Sequence, residues 1–211
     1  RDGQVDEAAL RRFVEWQVAE GIHFVVPCGS TGEAVTMSAA EHRRVVEITV
    51  EAVAGRVPVV AGAGSNDTAR AIATSKEMKA AGATHLLHVS PMYNKPPQRG
   101  LIEHFKRCAD ATDLPVIIYN VPGRTGGNIE AKTTLALAQV PKIIAVKEAS
   151  GNLGQITDII RERPEHFSVL SGDDEMTLAV MPPGGDGIIS VISNATPKAM
   201  AQLTEFAAAG N

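Results

Sequence analysis

Lys147 stands near the end of an apolar run, "IIAVKEAS" (143–150). A buried ammonium is unfavourable unless it is paired or gives up its proton. Such a lysine is therefore a surface residue, half of an ion pair with the neighbouring Glu148, or an amine kept for its chemistry. Other apolar runs end in polar residues as well. "CGSTGEA" (28–34) carries Gly29, Ser30 and Thr31, and "SPMYNKPP" (90–97) carries Tyr93. "YNVPGRTG" (119–126) carries Tyr119 and Arg124, "SGDD" (171–174) carries Gly172, and "ISVISN" (189–194) begins at Ile189. A desolvated lysine has a lowered pKa, and its neutral amine attacks carbonyl carbons. With a keto acid it gives a Schiff base. The protonated imine then draws electrons from the adjacent carbon, which loses a proton to form an enamine. Tyr119 is of the right type to shuttle protons, with Ser30 or Thr31 completing a relay. The glycines of "GSTGE" let backbone N–H groups approach a carboxylate. Arg124 can grip a second carboxylate bidentately.

Each residue taken singly also fits a plainer role. A lysine at a strand end is often solvated or ion-paired. Tyr119 can be a packed tyrosine with a satisfied hydroxyl, Arg124 a surface residue, and Ser30-Thr31 a turn or cap. His23, His85 and His88 read as structural, and Cys28 as a small core residue. "GDD" could suggest a metal, but no His pair or carboxylate cluster of metal-site spacing joins it. Asp173 is instead expected to cap the following helix. The joint occurrence of these residues, rather than any one of them, points to chemistry.

Positioning them requires a repeating scaffold. Seven runs rich in Val and Ile do not alternate with polar residues and read as buried parallel strands: 22–27, 57–62, 85–90, 115–120, 142–147, 167–172 and 187–192. Amphipathic segments at 6–20, 38–55, 67–82 and 98–112 read as helices. Ser38 and Glu41 have capping-box spacing, and Gly55 and Gly82 stand where helices stop. Strand and helix alternate at steps of roughly 25–35 residues, which means right-handed βαβ units. An open doubly wound sheet and a (β/α)8 TIM barrel compete. The open sheet lacks a G-x-G-x-x-G turn, and polar residues gathered at strand ends suit the active rim of a barrel. Eight strands are needed and seven are present, so a first strand is expected upstream of Arg1. The reading is one barrel domain over 1–211, truncated at both ends.

Composition narrows the partners. The 211 residues are 44% apolar and 21% charged, with a net charge of −4 and no basic run, so nucleic acid is not an expected partner. No apolar segment reaches the roughly 18 residues that span a membrane. Two cysteines make no disulfide framework. A cytoplasmic setting fits.

"GSTGEA", "SPMYNKP", "YNVPGRTG", "VKEASGN" and "LSGDD" together resemble the signature segments of the 4-hydroxy-tetrahydrodipicolinate synthase family, within the pyruvate-dependent class I aldolases that include N-acetylneuraminate lyase. The similarity runs from about residue 2 to 207. The resemblance implies that Lys147 forms an imine with pyruvate and that its enamine attacks L-aspartate 4-semialdehyde. It implies no metal and no cofactor beyond this covalent imine. Ser30, Tyr119 and Tyr93 would form the proton relay, with Tyr93 donated across a dimer interface. Thr31 and the neighbouring amides, Gly29 among them, would bind the pyruvate carboxylate. Arg124 would hold the semialdehyde carboxylate, and Gly172 and Ile189 would line the pocket. A homotetramer, a dimer of dimers, is the usual form.

Departures from the pattern also matter. The family usually has Thr where Ser30 stands, and the hydroxyl is retained. A terminal helical extension is not seen. In feedback-sensitive members a carboxylate in the helix after "GAGSN" pairs with the lysine effector; the matching residue is Arg70, with Met92 and Ala39 also altered and Asn66 and His42 kept. Weak or absent lysine inhibition is expected. A lyase for N-acetylneuraminate or a 2-keto-3-deoxy sugar acid is the alternative function, and an inactive paralogue acting as a binding protein is a second.

Overall fold

The computed structural model describes residues 3–210; Arg1, Asp2 and Asn211 lie outside the described residues. Six parallel strands hydrogen-bond in chain order and curl into a half-barrel. They are β1 (Val60–Gly62), β2 (His85–Val89), β3 (Val116–Asn120), β4 (Ile143–Glu148), β5 (Ser168–Ser171) and β6 (Gly187–Ile188). The longer helices are α1 (Glu7–Ala19), α2 (Ala39–Val53), α3 (Thr68–Ala80) and α4 (Gln98–Asp110). After the short α5 (Pro122–Thr125) come α6 (Ala131–Leu137), α7 (Leu153–Glu162), the single turn α8 (Thr177–Val180) and α9 (Pro197–Ala208). No helix among the described residues is long and apolar enough to cross a membrane.

The helices start where their caps dictate. The Ser38 hydroxyl accepts from the Glu41 N–H at 3.2 Å, and the Glu41 carboxylate accepts from the Ser38 N–H at 2.8 Å. Both arms of the capping box are therefore made. Asp67 accepts from the Ala69 N–H at 2.9 Å and opens α3. At its far end α2 stops before the expected glycine, because Ala54 takes the left-handed cap conformation itself.

Strand alternation gives the sheet two faces. Leu86, Ile118, Val146 and Val169 face the helices and join a core with Phe105, Phe167, Ile156 and Ile159. Phe105 and Phe167 are fully buried, each contributing roughly 1.5–3 kcal/mol. Val60, Leu87, Ile117, Tyr119, Ala145, Leu170 and Ile189 pack on the concave side. One irregularity interrupts the pairing of β3 with β4. Val116 pairs with Ile143, yet Ile117 pairs with Ala145, so Ile144 is an extra residue.

Two expected strands are shorter than the sequence suggested. Segment 22–27 forms only an isolated bridge, Val25 with Val59. Its ladder continues on one side, where the Gly62 N–H donates to the Pro27 carbonyl at 3.0 Å. The reciprocal bond cannot form, because Pro27 has no N–H. The run 187–192 is strand for two residues only. Asp174 accepts from the Val191 and Ile192 N–H groups at 3.0 Å each, and from the Ser190 hydroxyl, which bends the backbone into a helical turn.

Gly62 sits where chain meets chain. A Cβ there would lie 2.0 Å from the Cys28 carbonyl oxygen. Gly62→Ala must push back the 28–31 backbone. Urea denaturation should show a loss of about 1–3 kcal/mol; an unchanged midpoint would contradict this packing.

Candidate functional site

Register sets the centre of the site. Val89 pairs with Tyr119, Tyr119 with Lys147, and Lys147 with Leu170, forming one inward-facing rung across β2, β3, β4 and β5. The Lys147 amine lies 4.2 Å from the centroid of the Tyr119 ring. Lys147 is 8% exposed and makes no ion pair among the described residues. Burial lowers its pKa to about 8, with the Arg124 charge acting in the same direction and Asp173 and Asp174 opposing it. The amine is thus partly neutral near physiological pH and available as a nucleophile. Burial raises the Tyr119 pKa, so the phenol keeps its proton.

Glu148 is not the partner of Lys147. It faces the opposite side of β4, 1% exposed. The Asn120 amide donates to both its oxygens at 3.1 and 3.0 Å, the Ser150 N–H at 2.8 Å and the Gln155 amide at 3.2 Å. Asn120 also donates to Asn128 at 2.8 Å and accepts from the Ile129 N–H at 2.9 Å. This network lies directly behind Tyr119 and Lys147 and ties the loops after β3 and β4 together. Burial raises the Glu148 pKa, and its hydrogen bonds hold it down.

A cleft of about 1030 Å³ opens over the rung. Gly29, Ser30, Thr31, Tyr119, Arg124, Lys147, Gly172 and Ile189, all expected from the sequence, line it. Gly29 leads into a single turn over Ser30–Gly32, at whose start the Ser30 and Thr31 N–H groups find no acceptor among the described residues. Cys28 precedes it in a left-handed conformation with φ 58°. Arg124, on α5, is exposed and has no carboxylate partner among the described residues. Gly172 is required by close packing beside the lysine: a Cβ would sit 2.6 Å from the Ala149 Cβ and 3.2 Å from the Lys147 Cε.

Tyr93 does not join this cleft within one chain. It is 90% exposed on a left-handed turn, φ 73°, with its N–H donating to the Thr125 carbonyl at 3.0 Å. Asn66 holds the same turn from below, donating to the Met92 carbonyl at 3.2 Å. The backbone is pinned inward and the ring is left in solvent. Asp173 departs from expectation too. It occupies a cap position but makes no side-chain cap bond, and it lines the cleft. The sequence signal was available in the position of "GDD" at a strand end, but that spacing equally suits a helix cap. His23 is exposed and pairs with Glu205 at 3.3 Å, outside any strand core. Among the described residues no three His, Cys, Asp or Glu side chains gather to hold a metal ion. Cys28 and Cys108 are buried thiols with pKa values pushed up to about 12, hence unreactive.

The sequence model of the Dihydrodipicolinate synthetase family matches residues 1–211. The chain belongs to this family. A 4-hydroxy-tetrahydrodipicolinate synthase of Desulfotalea psychrophila is 50% identical over 210 residues, covering 100% of this chain and 71% of its own length. One from Koribacter versatilis is 53% identical, covering 98% of this chain and 69% of its own. The crystal structure of dihydrodipicolinate synthase from Aquifex aeolicus superposes with a TM-score of 0.97 at 43% identity, covering 100% of this chain and 72% of that one. The Acinetobacter baumannii enzyme, solved in complex with pyruvate, superposes with a TM-score of 0.97 at 41% identity, covering 100% of this chain and 72% of that one.

The depressed lysine pKa has a sign that can be checked. Below about 8 both folded and unfolded chains hold the proton, and the full burial penalty applies. Between about 8 and the ordinary 10.5 only the unfolded chain holds it, so stability rises with pH. Lys147→Met should therefore stabilise the fold by about 2–3 kcal/mol at pH 7, the gain fading as pH climbs through that window. Paired denaturant melts at pH 7 and above 10 measure it; a gain that is equal at both would be wrong for a desolvated amine.

Proposed function

We propose that this chain carries the catalytic centre of a 4-hydroxy-tetrahydrodipicolinate synthase, condensing pyruvate with L-aspartate 4-semialdehyde. The observation that carries the reading is the Lys147 amine, desolvated over the Tyr119 ring in a cleft that also holds an unpaired guanidinium. Lys147 adds to the keto carbon of pyruvate, and loss of water leaves the imine. A proton leaves the methyl carbon, and the enamine carbon bonds to the aldehyde carbon. The semialdehyde's own amine then closes the ring on the imine carbon, and Lys147 departs as the free amine. Tyr119 and Ser30 relay protons, Thr31 and the amides beside Gly29 receive the pyruvate carboxylate, and Arg124 receives that of the semialdehyde. No metal or organic cofactor is needed, since the imine is the electron sink.

The finer architecture belongs to the same proposal. A further parallel strand between segment 22–27 and β6 would complete an eight-stranded barrel. The cleft runs into that gap, lined there by Phe24, Val26, Ile188 and Val191. A second copy of the chain would present its Tyr93 to the relay. An aromatic ring left in solvent on a strained backbone supports this, as does the family's assembly as a dimer of dimers. The cytoplasm is the setting in which this biosynthetic reaction would run.

Borohydride reduction in the presence of pyruvate tests the imine directly. The protein should gain the mass of one reduced pyruvate adduct, and Lys147→Ala should gain none. An unmodified wild type would defeat the proposal. Feedback is a separate matter. Arg70 is exposed on α3 and presents a like charge to a lysine effector, so millimolar lysine should leave the initial rate nearly unchanged; strong inhibition would show that the effector site tolerates it.

A further inference from the structure

Among the described residues four carboxylates line the cleft: Asp6, Asp173, Asp186 and Glu205. Three have work elsewhere. Asp6 accepts from the Ala9 N–H at 2.8 Å and caps α1. Asp186 accepts from the Val169 N–H at 2.7 Å and pairs with Arg163. Glu205 pairs with His23. The adjacent Asp174 is spent on the 190–192 turn. Asp173 alone has no donor on its carboxylate among the described residues; only its backbone is engaged, with the Ser171 hydroxyl at 2.8 and 3.3 Å.

Its place in the sheet gives this meaning. Lys147 lies on β4, Arg124 follows β3 on one side, and Asp173 follows β5 on the other. A cation and an anion therefore flank the amine from opposite neighbouring strands. We infer that Asp173 forms a subsite for the primary ammonium of the second substrate, making the cleft select an α-amino aldehyde over its deamino or polyhydroxy counterparts. The inference rests on the proposed condensation. A molecule with carboxylate and ammonium on one carbon, and an aldehyde two carbons away, can span Arg124 and Asp173 while its aldehyde meets the enamine. The negative charge is sensed at the centre as well, since it opposes the lowering of the Lys147 pKa and adds to the raising of that of Tyr119. A polyhydroxy chain can hydrogen-bond both groups but carries no charge to match either, so it forgoes the charge-assisted bonds open to the amino acid aldehyde.

Asp173→Asn separates the contributions. With the full-length enzyme, KM for L-aspartate 4-semialdehyde should rise about 10- to 100-fold, the scale of a lost charge-assisted hydrogen bond. Succinic semialdehyde has the same carboxylate and aldehyde but no ammonium. Its inhibition constant, measured against the amino substrate, should change less than about twofold on that scale. If both constants rise together, or neither moves, the subsite is overturned. Borohydride trapping with pyruvate controls for the underlying chemistry. An adduct in the wild type and the variant leaves the comparison to decide. No adduct even in the wild type rejects the imine reading itself. Asp173→Ala is the second variant; if both variants fold but lose the adduct, Asp173 serves the amine rather than the second substrate, and the subsite is again overturned.

Discussion

Desolvation of one amine is the constraint to which the rest of the molecule answers. Lys147 can be held partly uncharged near neutral pH only because the concave face around it is apolar and its amine lies over the face of the Tyr119 ring. The strand beneath supplies this by alternation. On β3 and β4 the inward residues are Tyr119 and Lys147, and the next pair, Asn120 and Glu148, turns outward. Reactive and structural polar groups are thereby separated by the thickness of the sheet. A carboxylate paired directly with the amine would have favoured its charged form and reduced its nucleophilicity.

The outward pair has its own logic. A buried carboxylate persists when donors surround it. Glu148 meets two side-chain amides and a backbone N–H, which come from the end of β3, the first turns of α7 and the loop between β4 and α7. Its charge is used to fasten loops, at a depth where water cannot compete. The site is therefore built on strands and backed by a polar lock, with Arg124, Ser30 and Thr31 placed on short helical turns at its rim.

Much of this was legible in the chain. Apolar runs without polar alternation correctly indicated strands covered on both faces, and the capping pair Ser38 and Glu41 marked the start of α2. The polar residues at strand ends do converge, because parallel strands joined by right-handed crossovers bring all their C-terminal ends to one rim. Local patterns failed where a single atom decided the outcome. Pro27 still reads as part of an extended run, but its missing N–H cuts the ladder. Ser190 to Ile192 read as strand, yet a carboxylate sixteen to eighteen residues earlier in the chain captures their donors. Asp173 and Asp174 are identical in type and adjacent, so sequence could not say that one would brace a turn while the other faced the cleft. Nothing local to its sequence showed that the Tyr93 ring would stand in solvent, away from the cleft.

The extra residue at Ile144 has a geometric consequence. Counting by twos from Ile143, which packs beneath the helices, assigns Lys147 to that same underside. The bulge inverts the parity, so that Ile143 and Lys147 point to opposite sides although four positions apart. Straightening the strand at constant length, so that Ile144 paired with Ile117, would exchange the roles of 147 and 148 and turn an acid to where the amine belongs; deleting Ile144 would instead restore plain alternation and keep Lys147 inward. Pairing register in this strand is therefore as much a determinant of activity as the identity of the lysine, and a chain of the same length whose Ile144 entered the ladder should lose its chemistry before it loses its shape.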